Sequence, residues 1–261
     1  MDVLIFMGQS NMQGSTGEKC SVKPENGARE YVYSADALKS LVSPVGEDVK
    51  SGSGEVLLAA SALGNGSMVP YFVNEYSRLC GKQVVAIHCA KGNTSVAEWE
   101  KGTERFAVAA AKIKAGLNKA SQADKIDKTY IIWLQGESDA LLSTPQKVYE
   151  EKLIRLKNDL KREFRFDKFC IIKTGYFAAY ANWISGTFKD KKAADAAIMT
   201  AQENVVKVDS DFVMLTDVTA SLSENPEYLN PKEYGPHYNN AGMKIIGEAA
   251  AKKLAETEKG E

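Results

Sequence analysis

Five short apolar runs, residues 2–7, 84–89, 129–134, 168–174 and 211–216, alternate along the chain with longer segments of helical spacing. The helical segments run from Val69 to Cys80, Thr103 to Ala120, Thr144 to Phe164 and Ala193 to Val208, and Asn240 to Glu256 closes the chain. Short buried strands separated by amphipathic helices are the signature of βαβ units, so the pattern predicts an α/β fold with a mostly parallel, five-stranded sheet. Pro70 and Pro145 stand near helix starts, where a missing N–H costs little, and Thr144 is placed to cap the third helix. The stretch from Gly14 to Gly54 is rich in turn formers and too long for an ordinary βα connection. It is expected to cover a site or shape its rim.

Three of the runs end in polar residues. Val3–Met7 gives way to Gly8-Gln9-Ser10-Asn11, Val84–Ile87 leads to Ala90-Lys91-Gly92-Asn93-Thr94, and Tyr130–Leu134 leads to Gln135-Gly136-Glu137-Ser138-Asp139. In open parallel sheets ligands bind beyond the carboxyl ends of the strands, where successive loops aim groups at one reacting atom. Ser10 thus sits where a nucleophile belongs, but a serine hydroxyl needs an adjacent base. The chain has two histidines. His88 ends an apolar strand and reads as a core residue. His237 lies in a loop of turn formers, 234–242, just ahead of the last helix, and is the candidate base.

The blocks Gly8-Gln9-Ser10-Asn11-Met12 and Trp133-Leu134-Gln135-Gly136-Glu137-Ser138-Asp139, with the late His237, resemble the SGNH hydrolases, specifically their sialate O-acetylesterase and acetylxylan esterase (carbohydrate esterase 6-like) branch. The resemblance spans most of the chain. It implies a three-layer α/β/α sandwich of flavodoxin-like SGNH type, and a serine esterase that removes O-acetyl groups from carbohydrate. Ser10 would attack the acetyl carbonyl while His237 moves the proton. The oxyanion donors nominated are the Ser10 N–H, the Gly92 N–H and the Gln135 side-chain amide. Gln9 and Asn11 support the nucleophile loop, Glu137 holds it by accepting hydrogen bonds from backbone groups of the Ser10 loop, and Asp139 caps or orients its own loop. Glu137 and Asp139 are too close in sequence to straddle a glycosidic bond as a glycosidase pair.

One position departs from the family pattern. An aspartate usually lies three residues before the histidine, where this chain has Tyr234. Glu233 is the candidate third member, but an odd shift along an extended loop turns its side chain the other way. A backbone carbonyl of Tyr234-Gly235 is expected to orient the imidazole instead, so that the site works as a dyad. Trp99 reads equally as pocket wall and as core. For Tyr176, Phe177, Tyr180 and Trp183 core packing is favoured over a carbohydrate rim.

Composition narrows the alternatives. With 33 Lys and Arg against 34 Asp and Glu, and no basic stripe, a nucleic-acid partner is not expected. No run of about 18 apolar residues suggests a membrane span. Cys20, Cys80, Cys89 and Cys170 form no C-x-x-C pair, and no metal or cofactor is expected. The length suits one esterase domain over residues 1–261. The cytoplasm is the default compartment for the chain as given, with a secreted or periplasmic location expected where a signal peptide has been trimmed; oligomeric state is left open. Two other readings remain: a lipase or thioesterase of the same fold acting on simple acyl esters, and a non-catalytic carbohydrate-binding relative.

Overall fold

The first apolar run forms the strand at the heart of the molecule. In a computed structural model describing residues 1–230 and 236–259, β1 (Asp2–Gly8) lies between β6 (Val84–Ala90) and β7 (Thr129–Leu134), and every residue of the three is buried. Outside them stand β8 (Lys168–Ile172) and β9 (Phe212–Thr216) on one side. On the other are β2 (Arg29–Val32) and β3 (Ala37–Ser40). The order is β3-β2-β6-β1-β7-β8-β9, parallel throughout except for the β2–β3 pair.

Alternate residues of β1 feed two separate cores, as the two-residue period of a strand requires. Val3, Ile5 and Met7 face helices α3 (Glu104–Ala123), α5 (Gln146–Glu163) and α7 (Phe188–Val208). Leu4 and Phe6 face α2 (Val69–Cys80) and α9 (Asn240–Lys259), with Phe6 edge-on to Phe72 at 5.4 Å. The result is the expected three-layer sandwich, with seven strands in its sheet among the described residues rather than five. The additional pair, β2 and β3, comes from the 14–54 segment, and a small hairpin, β4 (Val49–Lys50) with β5 (Val56–Leu58), lies alongside. That segment builds the sheet edge, and of its residues only Ser15 lines the cavity that holds Ser10.

Two helix starts differ from the expectation. Thr144 Oγ1 donates to Asp139 Oδ1 at 3.0 Å, so Pro145 occupies the N-cap of α5 without a side-chain cap. Helix α7 begins at Phe188, before the apolar period sets in, because the Thr187 hydroxyl accepts the Asp190 N–H. None of the four cysteines forms a disulfide with another.

Candidate active site

Register brings the three strand tips together. Gly8 pairs with Ala90 on one side and with Leu134 on the other, so the loops that follow all leave the sheet at one level. Gly8 has φ +144°, and a Cβ there would overlap the Leu134 carbonyl. Only glycine lets β1 pass that close to β7 before turning. The chain then enters the short helix α1 (Ser10–Gln13), which lifts Ser10 to its first turn.

His237 reaches the same point from the other end of the chain. Its Nε2 lies 2.9 Å from Ser10 Oγ. Its backbone is held by the Asn230 N–H donated to the His237 carbonyl at 2.6 Å, beside a bridge between Leu229 and Tyr238. The ring is met edge-to-face by Phe177, centroid to centroid 5.2 Å, from α6 (Phe177–Tyr180). An unprotonated Nε2 at this distance is in reach of the hydroxyl proton. Ser10 and His237 line a cavity of about 340 Å³ with Gln9, Asn93, Phe177 and Trp183 among its walls. Glu233, Tyr234 and Gly235 lie outside the described residues.

A profile of the family described as SASA, carbohydrate esterase, sialic acid-specific acetylesterase, matches residues 1–255. The chain belongs to this family. It is a carboxylic ester hydrolase acting on acetyl esters, within the SGNH group. No curated protein matches the sequence. Among solved structures, a protein from Arabidopsis thaliana is 17% identical, with 97% of this chain and 98% of that one aligned at a TM-score of 0.70. A carbohydrate acetylesterase from Xanthomonas citri is 13% identical at a TM-score of 0.59; all of this chain covers 57% of that one. A lipase/acylhydrolase from Enterococcus faecalis is 14% identical over 98% of this chain and 96% of its own, at 0.52. At these identities the likeness is one of fold.

Gln9, Asn11, Glu137 and Asp139 form a buried polar network under Ser10. Gln9 Oε1 accepts from the Gln135 amide at 3.2 Å and from the N–H groups of Gly136 and Ser138 at 3.3 and 3.1 Å, tying the first tip to the third. Asn11 Nδ2 donates to Glu137 Oε1 at 2.8 Å, and Asn11 Oδ1 accepts the Tyr238 N–H at 3.4 Å, next to His237. Glu137 is held by this amide rather than by the backbone groups expected from sequence. Burial pushes its carboxyl up to about 7, against the pull of the Asn11 amide. Asp139 is buried and accepts from Val96 N–H at 2.8 Å and from Gln135 Nε2 at 2.6 Å, joining the second tip to the third; burial raises it as well.

Two oxyanion assignments need correction. The Gln135 amide donates to Thr94 O at 2.8 Å and to Asp139, its Oε1 accepts from the Tyr149 hydroxyl, and the side chain is wholly buried, away from the cavity lining. It braces the loops. The Gly92 N–H is donated to Gln13 Oε1 at 2.6 Å. What Gly92 contributes is space, since a Cβ there would stand 3.3 Å from Ser10 Cβ. Asn93, overlooked in the sequence, takes φ +59° and lines the cavity. Neither its N–H nor that of Ser10 has a hydrogen-bond partner among the described residues.

Asp195 was also overlooked. It accepts the N–H groups of Ala178 and Ala179 at 2.9 and 2.8 Å, which anchors α6 and with it Phe177 against His237. Burial raises its carboxyl to about 6. A lone acid between the alanine pairs of Ala193-Ala194-Asp195-Ala196-Ala197 was the available signal. Trp99 is core, packed edge-on to Trp133 at 5.7 Å, while Trp183 stands at the cavity rim rather than in the core. His88 is core as expected; its Nε2 donates to the Met12 carbonyl at 3.2 Å, and burial lowers its pKa to about 4. Among the described residues no group of His, Cys, Asp and Glu could hold a metal ion.

Proposed function

We propose that this chain, acting as one domain, removes O-acetyl groups from acetylated carbohydrate, of xylan or sialic acid type, through an acetyl-serine intermediate. The observation that carries the reading is the 2.9 Å contact between Ser10 Oγ and His237 Nε2 in the wall of an open cavity. Ser10 Oγ bonds to the acetyl carbon as its proton passes to His237 Nε2. The bond to the sugar oxygen then breaks, and the same proton leaves with the sugar hydroxyl. Water, deprotonated by His237, attacks acetyl-Ser10; acetate departs and the proton returns to Ser10.

The Ser10 and Asn93 N–H groups are the donors proposed for the oxyanion. His237 is proposed to work with Ser10 as a dyad, its tautomer set by a backbone carbonyl of the Tyr234-Gly235 turn, with Glu233 contributing little. The family's description and the carbohydrate acetylesterase among the fold neighbours favour a sugar over a lipid.

A fluorophosphonate probe tests the nucleophile, and acetate release from acetylated xylan and from O-acetyl sialic acids tests the substrate. Probe label mapping to Ser10, with acetate released from one of these sugars, is expected. Rates on simple esters that climb with acyl length, without acetate release from either sugar, would favour the lipase reading instead.

A further inference from the structure

Beside the catalytic cavity lies a second one of about 550 Å³, and Leu141 and Trp183 line both. Its remaining walls include the Ser143 and Ser185 hydroxyls, Ile184, Ala194 and the neighbours Asp190 and Lys191. We infer that this second cavity seats the sugar residue next to the one being deacetylated, with Trp183 as the platform between them, so that the substrate is an acetylated neutral oligosaccharide or polysaccharide rather than a monosaccharide. The inference rests on the deacetylase reading above.

Trp183 is 44% exposed, an unusual state for so large an aromatic. Its position is set from the active site outward: it meets Phe177 edge-to-face at 6.2 Å, and Phe177 in turn meets the His237 ring. Leu142, which lies in sequence between the lining residues Leu141 and Ser143, is 69% exposed, and Tyr180 and Phe188, edge-to-face at 5.6 Å, are 39% and 51% exposed. Exposed apolar side chains of this size mark a contact surface.

A pyranose ring offers an apolar C–H face to an aromatic ring and a rim of hydroxyls to polar neighbours, and this cavity supplies both. Lys191 Nζ is tied to the Ala181 carbonyl at 2.6 Å, and Asp190 beside it offsets its charge. A wall without net positive charge suits a neutral sugar better than a carboxylate-bearing one. The hydroxyls and charges equally disfavour an acyl chain.

The test compares kcat/KM of the full chain for mono-O-acetylated xylotriose and for mono-O-acetylated methyl xyloside. The wild type should favour the trisaccharide by roughly tenfold, the effect of one well-placed aromatic contact. Trp183→Ala, and Ala194→Phe, which fills the second cavity, should each bring the ratio near one, mainly through KM, while Trp183→Phe keeps most of the preference. Should Trp183→Ala fail to fold, Ala194→Phe decides. A wild-type ratio near one, or a preference that survives in every folded variant, overturns the inference. Absence of turnover on both xylosides overturns the inference, and only if acetate release from O-acetyl sialic acids is absent as well does the deacetylase reading fall with it.

Discussion

Asn11 and Glu137 meet through a single hydrogen bond, Nδ2 to Oε1 at 2.8 Å, beneath Ser10. The same Asn11 side chain accepts the N–H of Tyr238, the neighbour of His237. One amide therefore registers the Ser10 helix, the third strand tip and the His237 loop against one another. Asn11→Ala should lower kcat by roughly 10- to 100-fold with little change in KM, because a small misplacement of nucleophile and base is felt mainly in the transition state. Steady-state kinetics on p-nitrophenyl acetate checks this, and a kcat within twofold of wild type would remove Asn11 from its positioning role.

Glu137 links the network to pH. Its pKa of about 7 in the folded protein lies above its ordinary value of 4.5. Below the ordinary value both folded and unfolded chains hold the proton. As pH rises through the window, the unfolded chain loses it first, and folding stability falls until the buried carboxyl also ionises. Glu137→Gln removes the titration while keeping an oxygen for Asn11. Urea melts at pH 5 and pH 8 should show the wild type losing up to about 3 kcal/mol relative to the variant across that interval. Parallel stabilities at the two pH values would contradict it.

The central strands and long helices were legible because their residues are governed by burial and spacing alone. Val69–Cys80 matches its expected limits, with Gly81 at φ +66° ending it. The strands β2 and β3 were missed because the charged pair Arg29-Glu30 breaks the apolar run of β2, although Glu30 and Tyr31 are buried, and because β3 is a half-exposed edge strand ending in Lys39-Ser40, where the apolar pattern fades. Ser10 and His237 could be read from strand-tip placement and motif. The partners of Gln135 and Gly92 could not, because the acceptors Thr94 O, Asp139 and Gln13 Oε1 depend on how three loops turn after leaving the sheet. Asp195 acts from the middle of a helix on another helix's first turn, a tertiary relationship with no local period.

Reassigning the oxyanion donors separates two variants. Gln135→Ala strips hydrogen bonds from Thr94, Asp139 and Tyr149 and should show as lost stability, on the order of 2–4 kcal/mol, with kcat falling only as the loops loosen. Asn93→Gly keeps both the N–H and the left-handed backbone and should stay within about threefold of wild type. Asn93→Val disfavours that backbone and should cost kcat roughly 100-fold, as loss of an oxyanion donor does. A large loss in Asn93→Gly would point to the asparagine side chain rather than its N–H.

The dyad has its own test. Glu233→Gln should cost less than about tenfold in kcat, against roughly 10⁴ when the carboxylate of a working triad is neutralised. A loss of a thousandfold or more in the folded variant, with unaltered KM, would establish Glu233 as the third member.

The role of Ser10 as nucleophile is tested most directly by the rate of p-nitrophenyl acetate hydrolysis by purified, folded Ser10→Ala beside the wild type. A loop hydroxyl adds little to packing but begins the reaction, so the variant should melt like the wild type and retain less than about one thousandth of its kcat/KM. A folded Ser10→Ala protein that hydrolyses the ester within tenfold of the wild-type rate would contradict it.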